Sequence, residues 1–394
     1  MLRSMYSGIS GMKNFQTKLD VIGNNIANVN TYGFKKGRVT FKDTMNQMVS
    51  GASASQDNRG GKNPTQVGLG STLATIDTIH TQSSLQTTGR SLDLAISGDG
   101  YFMVKQGDAQ FYTRAGNFYL DDNGSLVNGD GYKVQAFTID PNTGNVSNQF
   151  GDVAVNVNAV LPPVTTDIIS ISGNLASNSV SDGTPFTQQV QVIDNSGQAH
   201  RVDVKFTKTD EDLWEVSVND TLLTTLDFEN GTVTPQEFTG NITTDSSSIN
   251  GVTFNFSELT QVAGSTSALV NPNGNTEGAL ESFNIGSSGE INGVYSNGLV
   301  RTLGVLALAK FSNSSGLTKA GGNLFQESIN SGVANINVAG EGRGSIAAGT
   351  LEMSNVDLSE EFTEMISAQR GFQANTRIIT TSDEILQELV NLKR

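Results

Sequence analysis

The chain has 394 residues, including 43 Gly and 7 Pro but no Cys, with 36% hydrophobic content and a formal net charge of −15. That length exceeds one ordinary core and implies about two to four domains, while abundant Gly with scarce Pro suits β-turns and bulges. Without Cys there is no disulfide framework, thiol chemistry or thiolate-bound zinc, and the acidic balance argues against nucleic acid as a partner.

The charge is unevenly placed. Residues 1–50 hold seven basic and two acidic side chains, and residues 351–394 hold four basic and eight acidic ones. A basic start and an acidic end favour pairing of the two termini. No stretch approaches the roughly 20 apolar residues that a membrane span needs, so no membrane insertion is expected. Gly8, Ser10, Lys13 and Asn14 interrupt any secretory apolar region. The chain is therefore expected to be cytoplasmic, or exported by a route that leaves its N-terminus intact.

The first predicted element is a helix from about Leu2 to Ala27. Leu2, Met5, Ile9, Met12, Phe15, Leu19, Ile22 and Ile26 fall at spacings of three and four, the pattern of a coiled-coil stripe. Gly8, Gly11 and Gly23 lie inside it and cost about 1 kcal/mol each relative to Ala, so the helix should form only when its stripe is covered. Asn28, Asn30 and Gly33 end it. Ser50 to Gly70 is poor in apolar residues and reads as a flexible or extended connector.

From Leu92 the period changes to two. Leu92, Leu94 and Ile96 alternate, Tyr101 to Val104 is a short apolar run, and Asp121-Asp122-Asn123-Gly124 is a hairpin turn. A second β-module follows, with Val190 and Val192 before the turn Asn195-Ser196-Gly197 and Val202, Val204 and Phe206 after it. Trp214, Val216 and Val218, then Val252, Phe254 and Phe256, repeat the alternation and place the only Trp in a core. Leu299 to Phe311 is nearly all apolar and predicts a strand buried on both faces or at a domain junction.

The last helix is predicted from Leu358 onward, roughly 55 Å long if it runs to the C-terminus. Asp357 and Glu360 make a capping box, and Lys393 and Arg394 suit the negative pole. Its stripe is Leu358, Phe362, Met365, Phe372, Ile379, Leu386 and Val390, with Gln369, Thr376 and Asp383 at the intervening seam positions. The fold class is thus a multidomain α+β chain with nested, discontinuous domains. The terminal helices (1–30 and 355–394) form a coiled-coil inner domain, and 31–90 is a connector. The first β-domain is 91–144 with 281–354, and 145–280 is an inserted second β-domain.

No catalytic, cofactor or metal site is expected from the residues present. His80 and His200 are far apart in sequence and sit in strand-like segments. Gly340-Glu341-Gly342-Arg343-Gly344 lacks the third spaced glycine of a dinucleotide loop. Asp121 to Gly124 lacks the remaining ligand positions of a calcium loop. Asp210, Glu211 and Asp212 lie on a polar loop without apolar neighbours to raise a pKa.

Asn24-Asn25-Ile26-Ala27-Asn28-Val29-Asn30-Thr31-Tyr32-Gly33-Phe34-Lys35 resembles the N-terminal motif of the bacterial flagellar rod and hook axial protein family. Ser354-Asn355-Val356-Asp357-Leu358 through Met365 to Asn375 resembles its C-terminal end. Ser97-Gly98-Asp99-Gly100-Tyr101-Phe102 and Thr113-Arg114-Ala115-Gly116-Asn117-Phe118 make a third match. Asn28, Thr31, Gly33, Phe34, Gln369, Arg370 and Asn375 carry the motif positions, and the matches cover roughly half the chain. The resemblance implies a non-enzymatic structural subunit that assembles with itself into a helical polymer through its terminal helices.

It further implies a flexible curved tube, a universal joint that links rod to filament and transmits torque for motility. Implied partners are the distal rod protein, the hook cap, the hook–filament junction proteins and the flagellar type III export apparatus. The implied place is the hook and basal body, extracellular after signal-peptide-independent export. The insertion at about Asn145 to Leu280 favours a hook member over a distal rod member. Outside the family, a secreted β-rich adhesin or surface-array protein would not need matching helical ends. A carbohydrate-active enzyme would need paired carboxylates in a cleft.

Overall fold

The computed structural model describes residues 2–55, 59–139, 146–156, 160–181, 183–228, 233–243 and 248–392. The chain is mostly β, with α1 (Leu2–Ala27) near its start packed against α2 (Leu358–Asn391) near its end. It divides into two compact units. The first comprises Met1–Val155, Asn284–Asn292 and Thr302–Arg394, and the second Asn156–Phe283 and Gly293–Arg301.

In the first unit α1 is followed by a two-stranded ribbon. β1 (Gly37–Asp43) pairs antiparallel with β4 (Ser71–Thr78), and β2 (Asn46–Ser50) pairs with β3 (Thr65–Gly68). The Ser50–Gly70 segment, expected to be a flexible or extended connector, thus has extended, paired backbone at Ser50 and Thr65–Gly68 and a bridge between Ser53 and Lys62. The pairing itself was not predicted, because the strands carry little apolar alternation. Their register comes instead from backbone pairing and from seating on α1, where Asn14 Nδ2 donates to Ser71 Oγ at 2.9 Å. Gly70 (φ +114°) lies so close that a Cβ would sit 2.3 Å from Ser10 Oγ. Gln56, Asp57 and Asn58 of that segment lie outside the described residues.

The β-body of the first unit is a sheet in which Tyr101–Gln106 pairs with Ala109–Thr113 on one side and Lys133–Ile139 on the other. Leu324–Gln326 extends it, and Val305 and Leu306 pair with Phe137 and Ala136. Tyr101, Met103, Tyr112, Phe137, Phe311 and Phe325 meet in its core. The Leu299–Phe311 run crosses the boundary between the two units at Arg301 and Thr302, the junction that was one of its two expected placements, and is not buried throughout. Leu299 and Val300 are exposed and Arg301 and Thr302 interrupt the run, so burial begins at Gly304. At the Asp121 turn, Asp121 Oδ1 accepts from Asn123 N and Ser125 N, which closes the turn with the chain's own donors.

The second unit contains two four-stranded sheets, beside a short pairing of Val160 and Leu161 with Ala279 and Gly278. Phe186–Ile193, Ala199–Lys208, Leu213–Val218 and Thr221–Asp227 form an antiparallel meander. Glu237–Thr243, Ser248–Val262, Ile168–Ala176 and Leu269–Pro272 form the other, with Ile168–Ala176 parallel to Ser248–Val262. Val204, Phe206, Trp214 and Val216 of the first share a core with Ile169, Ile171, Phe254 and Phe256 of the second, each contributed by alternation of period two.

Candidate assembly interface

α1 and α2 run antiparallel. Along the pair, Gly8 meets Ile379 and Asn375, Gly11 meets Asn375, Phe15 meets Gly371, and Lys18 Nζ pairs with Glu364 at 3.2 Å. Asn25 Nδ2 donates to Glu361 Oε2 at 3.2 Å near the far end. Gly11 of α1 and Gly371 of α2 are what allow this approach. A Cβ on Gly11 would lie 3.0 Å from Asn375, and one on Gly371 would lie 2.5 Å from Phe15 Cζ. Gly23 has no such neighbour within 4 Å and only weakens the helix.

The seam on α2 is displaced from the sequence reading. Met365, Phe372, Ile379 and Leu386 are half-buried as the stripe requires, but the alternate positions fall at Glu361, Ala368, Asn375 and Ser382. Gln369, Thr376 and Asp383 are exposed one residue away, as is Arg370. Polar and small residues at one of the two seam positions hide the true register from a hydrophobicity pattern. Consequently Leu358, Phe362, Ile366, Ile378, Ile385 and Leu389 stand outward, between 39 and 51% exposed, with Val390 more so.

On α1, Ile22 is buried and Met5, Met12, Phe15, Leu19 and Ile26 are half-buried, whereas Ile9 is exposed. Leu2 begins α1, and its side chain lies outside the described set.

The cap of α2 forms in part. Asp357 Oδ1 accepts from Ser359 N at 2.8 Å and Glu360 N at 3.4 Å. Glu360 does not complete a box; it takes Lys36 Nζ at 2.8 Å. Lys393 and Arg394, expected at the negative pole, lie outside the described residues.

Between the helices and the β-body sits a buried charge cluster that the sequence reading missed. α1 ends where Asn28 Nδ2 donates to Asn24 O and Asn28 Oδ1 accepts from Thr31 Oγ1. Gly33 (φ +69°) then turns the chain, donates its N–H to Glu352 O at 2.8 Å, and lies against the Arg114–Ala115 backbone. Phe34 is buried, and Lys35 Nζ reaches Glu352 Oε1 at 2.6 Å with both side chains fully buried. Arg114 Nη1 meets Glu352 Oε2 at 3.3 Å, Arg114 Nη2 donates to Gly98 O, and Ser83 N donates to Glu352 Oε1. Asn355 Oδ1 accepts from Lys36 N and its Nδ2 donates to Ile79 O.

These bonds join the helix-ending motif, the Thr113–Phe118 motif and the approach to α2. A Glu that lies 317 residues from its Lys partner and 238 from its Arg partner gives no local sign of forming one cluster.

Burial pushes Lys35 below the ordinary lysine range against the opposing pull of Glu352. Beside it, burial lowers His80 to about 4, helped by Lys35, Lys319 and Arg114. His80 Nδ1 pairs with Tyr101 Oη at 2.8 Å, while its Nε2 is buried without a partner. Burial also raises Tyr101 to about 12 and lifts Glu361 above the usual carboxylate range. His200 pairs with Asp194 in the second unit. Among the described residues no group of three or more His, Cys, Asp or Glu is placed to hold a metal ion.

Three family models match the chain. Residues 5–35 match the flagella basal body rod protein model, and 95–182 the D1 domain of flagellar hook protein FlgE/F/G. Residues 347–392 match the C-terminal model of flagellar basal body rod FlgEFG proteins. A flagellar hook protein FlgE of Treponema pallidum is 37% identical over the full length of both chains. The chain belongs to the flagellar hook and rod protein family.

The flagellar basal-body rod protein FlgG of Bacillus subtilis is 42% identical, again over all of both chains. A FlgE of Escherichia coli is 37% identical over 98% of each. In fold, the chain is similar to the crystal structure of Helicobacter pylori flagellar hook protein FlgE2, with TM-score 0.53 and 15% identity, covering 68% of this chain and 100% of that one. The role that follows is a structural one in the flagellum, that of a hook subunit.

Proposed function

We propose that copies of this chain polymerise through α1 and α2 into a flexible curved tube, which acts as a universal joint between rod and filament and passes on torque. The carrying observation is the outward-facing set Leu358, Phe362, Ile366, Ile378, Ile385 and Leu389. Leu358, Phe362 and Ile366 lie on one flank of the seam and Ile378, Ile385 and Leu389 on the other, and apolar rows of this kind on a 34-residue helix are costly in water unless other surfaces cover them. A head-to-tail contact repeated without closing gives a helical tube. Helix pairs would line the inner wall and β-structure the outside. Of the sequence-derived residues, Met365, Phe372, Ile379 and Leu386 would hold the pair together, and Leu358, Phe362 and Val390 would bind neighbours.

The division into terminal helical domain (1–30, 355–394), connector (31–90), first β-domain (91–144, 281–354) and inserted β-domain (145–280) belongs to this proposal. So do the distal rod, hook cap and hook–filament junction proteins as partners. The proposal also includes export by the flagellar type III apparatus to an extracellular site.

The test is removal of residues from Ser359 onward, with electron microscopy of the parent chain and the truncation under polymerising conditions. Tubes from the parent alone are expected, whereas tubes from the truncation would refute the proposal. A straight, rod-like tube is the second reading, favoured by the Bacillus subtilis rod relative that spans the whole chain. Curvature in the same images separates the two.

A further inference from the structure

The turn from Glu327 to Ala334 in the first unit carries two apolar side chains with nothing of their own unit over them. Ile329 is 106% exposed and Val333 86%. Single exposed apolar residues are ordinary, and a loose loop carrying them would mean little. This turn is not loose. Ser328 Oγ donates to Gly316 O at 2.5 Å and accepts from Asn330 N and Ser331 N. Ser331 Oγ accepts from Ser328 N and donates to Ser328 O, and Asn313 Nδ2 donates to Asn330 O. Gly316 lies so close beneath that a Cβ would sit 2.8 Å from the Asn330–Ser331 backbone. The backbone is thus ordered before any partner arrives, which removes a main cost of binding.

The tip of the turn is also free of charge, and Glu327 at its base engages its carboxylate within the unit, where Oε1 accepts from Tyr112 Oη at 2.6 Å and Ala334 N at 3.2 Å. Residues 312–318 and 328–340, the two segments that these bonds tie together, contain no Asp, Glu, Lys or Arg. Two copies of a chain carrying −15 repel one another, so they approach with least penalty where both charge and its hydration are absent. A rigid, neutral, apolar projection fits such a meeting better than it fits a charged partner.

We infer that the Ile329–Val333 turn is a contact knob that inserts into an apolar surface of a second copy of this chain. The inference rests on the polymerisation proposed above and goes beyond it by naming a contact outside the helices. The absence of Cys makes the test clean, because I329C provides the only thiol. Its maleimide labelling rate is compared in the monomer and in assembled tubes, and an I329S/V333S variant is assembled alongside.

The expected results are about a hundredfold slower labelling in tubes and about a tenfold higher critical concentration for the serine pair. The serine pair should keep an unchanged circular dichroism spectrum and thermal midpoint, since neither side chain is buried in the monomer. Tubes that label as fast as monomer, or a serine pair that assembles like the parent, overturn the knob and leave the polymer reading intact. Protection that needs another flagellar protein overturns the second copy as partner. A parent chain that forms no tubes overturns the polymer reading and the knob with it.

Discussion

Glu352→Gln tests the junction directly. The substitution keeps the shape of the side chain but removes the carboxylate shared by Lys35 and Arg114, whose side chains are 0% and 4% exposed. Two cations then remain buried without a counter-charge. Arg114 cannot deprotonate. Lys35 can, but bringing a lysine of ordinary pKa 10.5 to neutrality at pH 7 costs about 4.8 kcal/mol, at about 1.36 kcal/mol per unit. That figure caps the lysine's share, because burial already lowers its pKa in the parent. Breaking a buried pair from one side generally costs about 3–5 kcal/mol, so a loss of that order is expected.

The assay is urea unfolding followed at 222 nm, where the two helices of the first unit dominate. Fluorescence of Trp214, the chain's only Trp and a core residue of the second unit, is recorded in parallel. The helical transition should move to lower urea and the Trp transition much less. The pH dependence carries a sign. With Lys35 depressed further in the folded variant, the unfolded chain binds more protons between that pKa and about 10.5. Stability of E352Q should therefore climb with pH through that window more steeply than the parent's. A loss below about 1 kcal/mol with no added pH slope would show that the cluster does not hold the junction.

Gly371→Ala should destabilise the helix pair by about 1–2 kcal/mol, because overpacking against Phe15 outweighs a propensity gain of about 1 kcal/mol. Gly23→Ala, with open space around it, should stabilise by up to about 1 kcal/mol; thermal melts that rank the two the other way refute the close-packed seam. His80, at about 4 in the folded chain against 6.5 unfolded, is neutral in both states above about pH 6.5, where its contribution is complete. Stability should fall as pH drops from about 6.5 to 4 and level off below. The loss attributable to His80 should be about 1–2 kcal/mol after allowance for partial solvation, and H80Q should lack that part of the slope. Replacing Phe362 and Ile366 together by Ser should leave monomer unfolding within about 0.5 kcal/mol but suppress assembly seen by light scattering. Normal assembly would remove that flank of α2 from the interface.

The sequence made the helices legible because both carry long apolar periodicity, and the predicted span of α1 matches the observed Leu2–Ala27. The register of their seam was not legible, since Glu361, Ala368, Asn375 and Ser382 supply half of it without an apolar signal. Strands with alternation, such as Leu213–Val218, could be read directly. The ribbon could not, because it is held by backbone bonds and by Gly70 lying on α1. The junction was unreadable for a topological reason: Lys35 and Glu352 lie 317 residues apart and meet only once the fold exists. The insertion used to favour a hook over a rod member also has limited power, since the Bacillus subtilis relative named as a rod protein aligns over the same full length.

The two kinds of contact at the helices suggest how stiffness is distributed. Within one chain, the seam is built partly from Gly8, Gly11, Ala368, Gly371 and Ser382, which bring backbones close but bury little apolar surface. Of the large apolar side chains of α2, Met365, Phe372, Ile379 and Leu386 are only half-buried in that seam, and Phe362, Ile366, Ile385 and Leu389 point away from it. The helix pair is thus a thin, closely fitted element whose main hydrophobic gain is still to be made against neighbours. Its base is fixed differently. From Asn28 to Lys35 the chain passes through a helix stop, a left-handed glycine in contact with the Arg114–Ala115 backbone and a buried ion cluster, with no long free linker between. A sideways force on the helices must strain buried charged hydrogen bonds before it can turn them relative to the β-body of the same unit. In the polymer proposed above, bending would accordingly be taken up at contacts between copies, and torque would cross each subunit through the Lys35–Glu352–Arg114 junction.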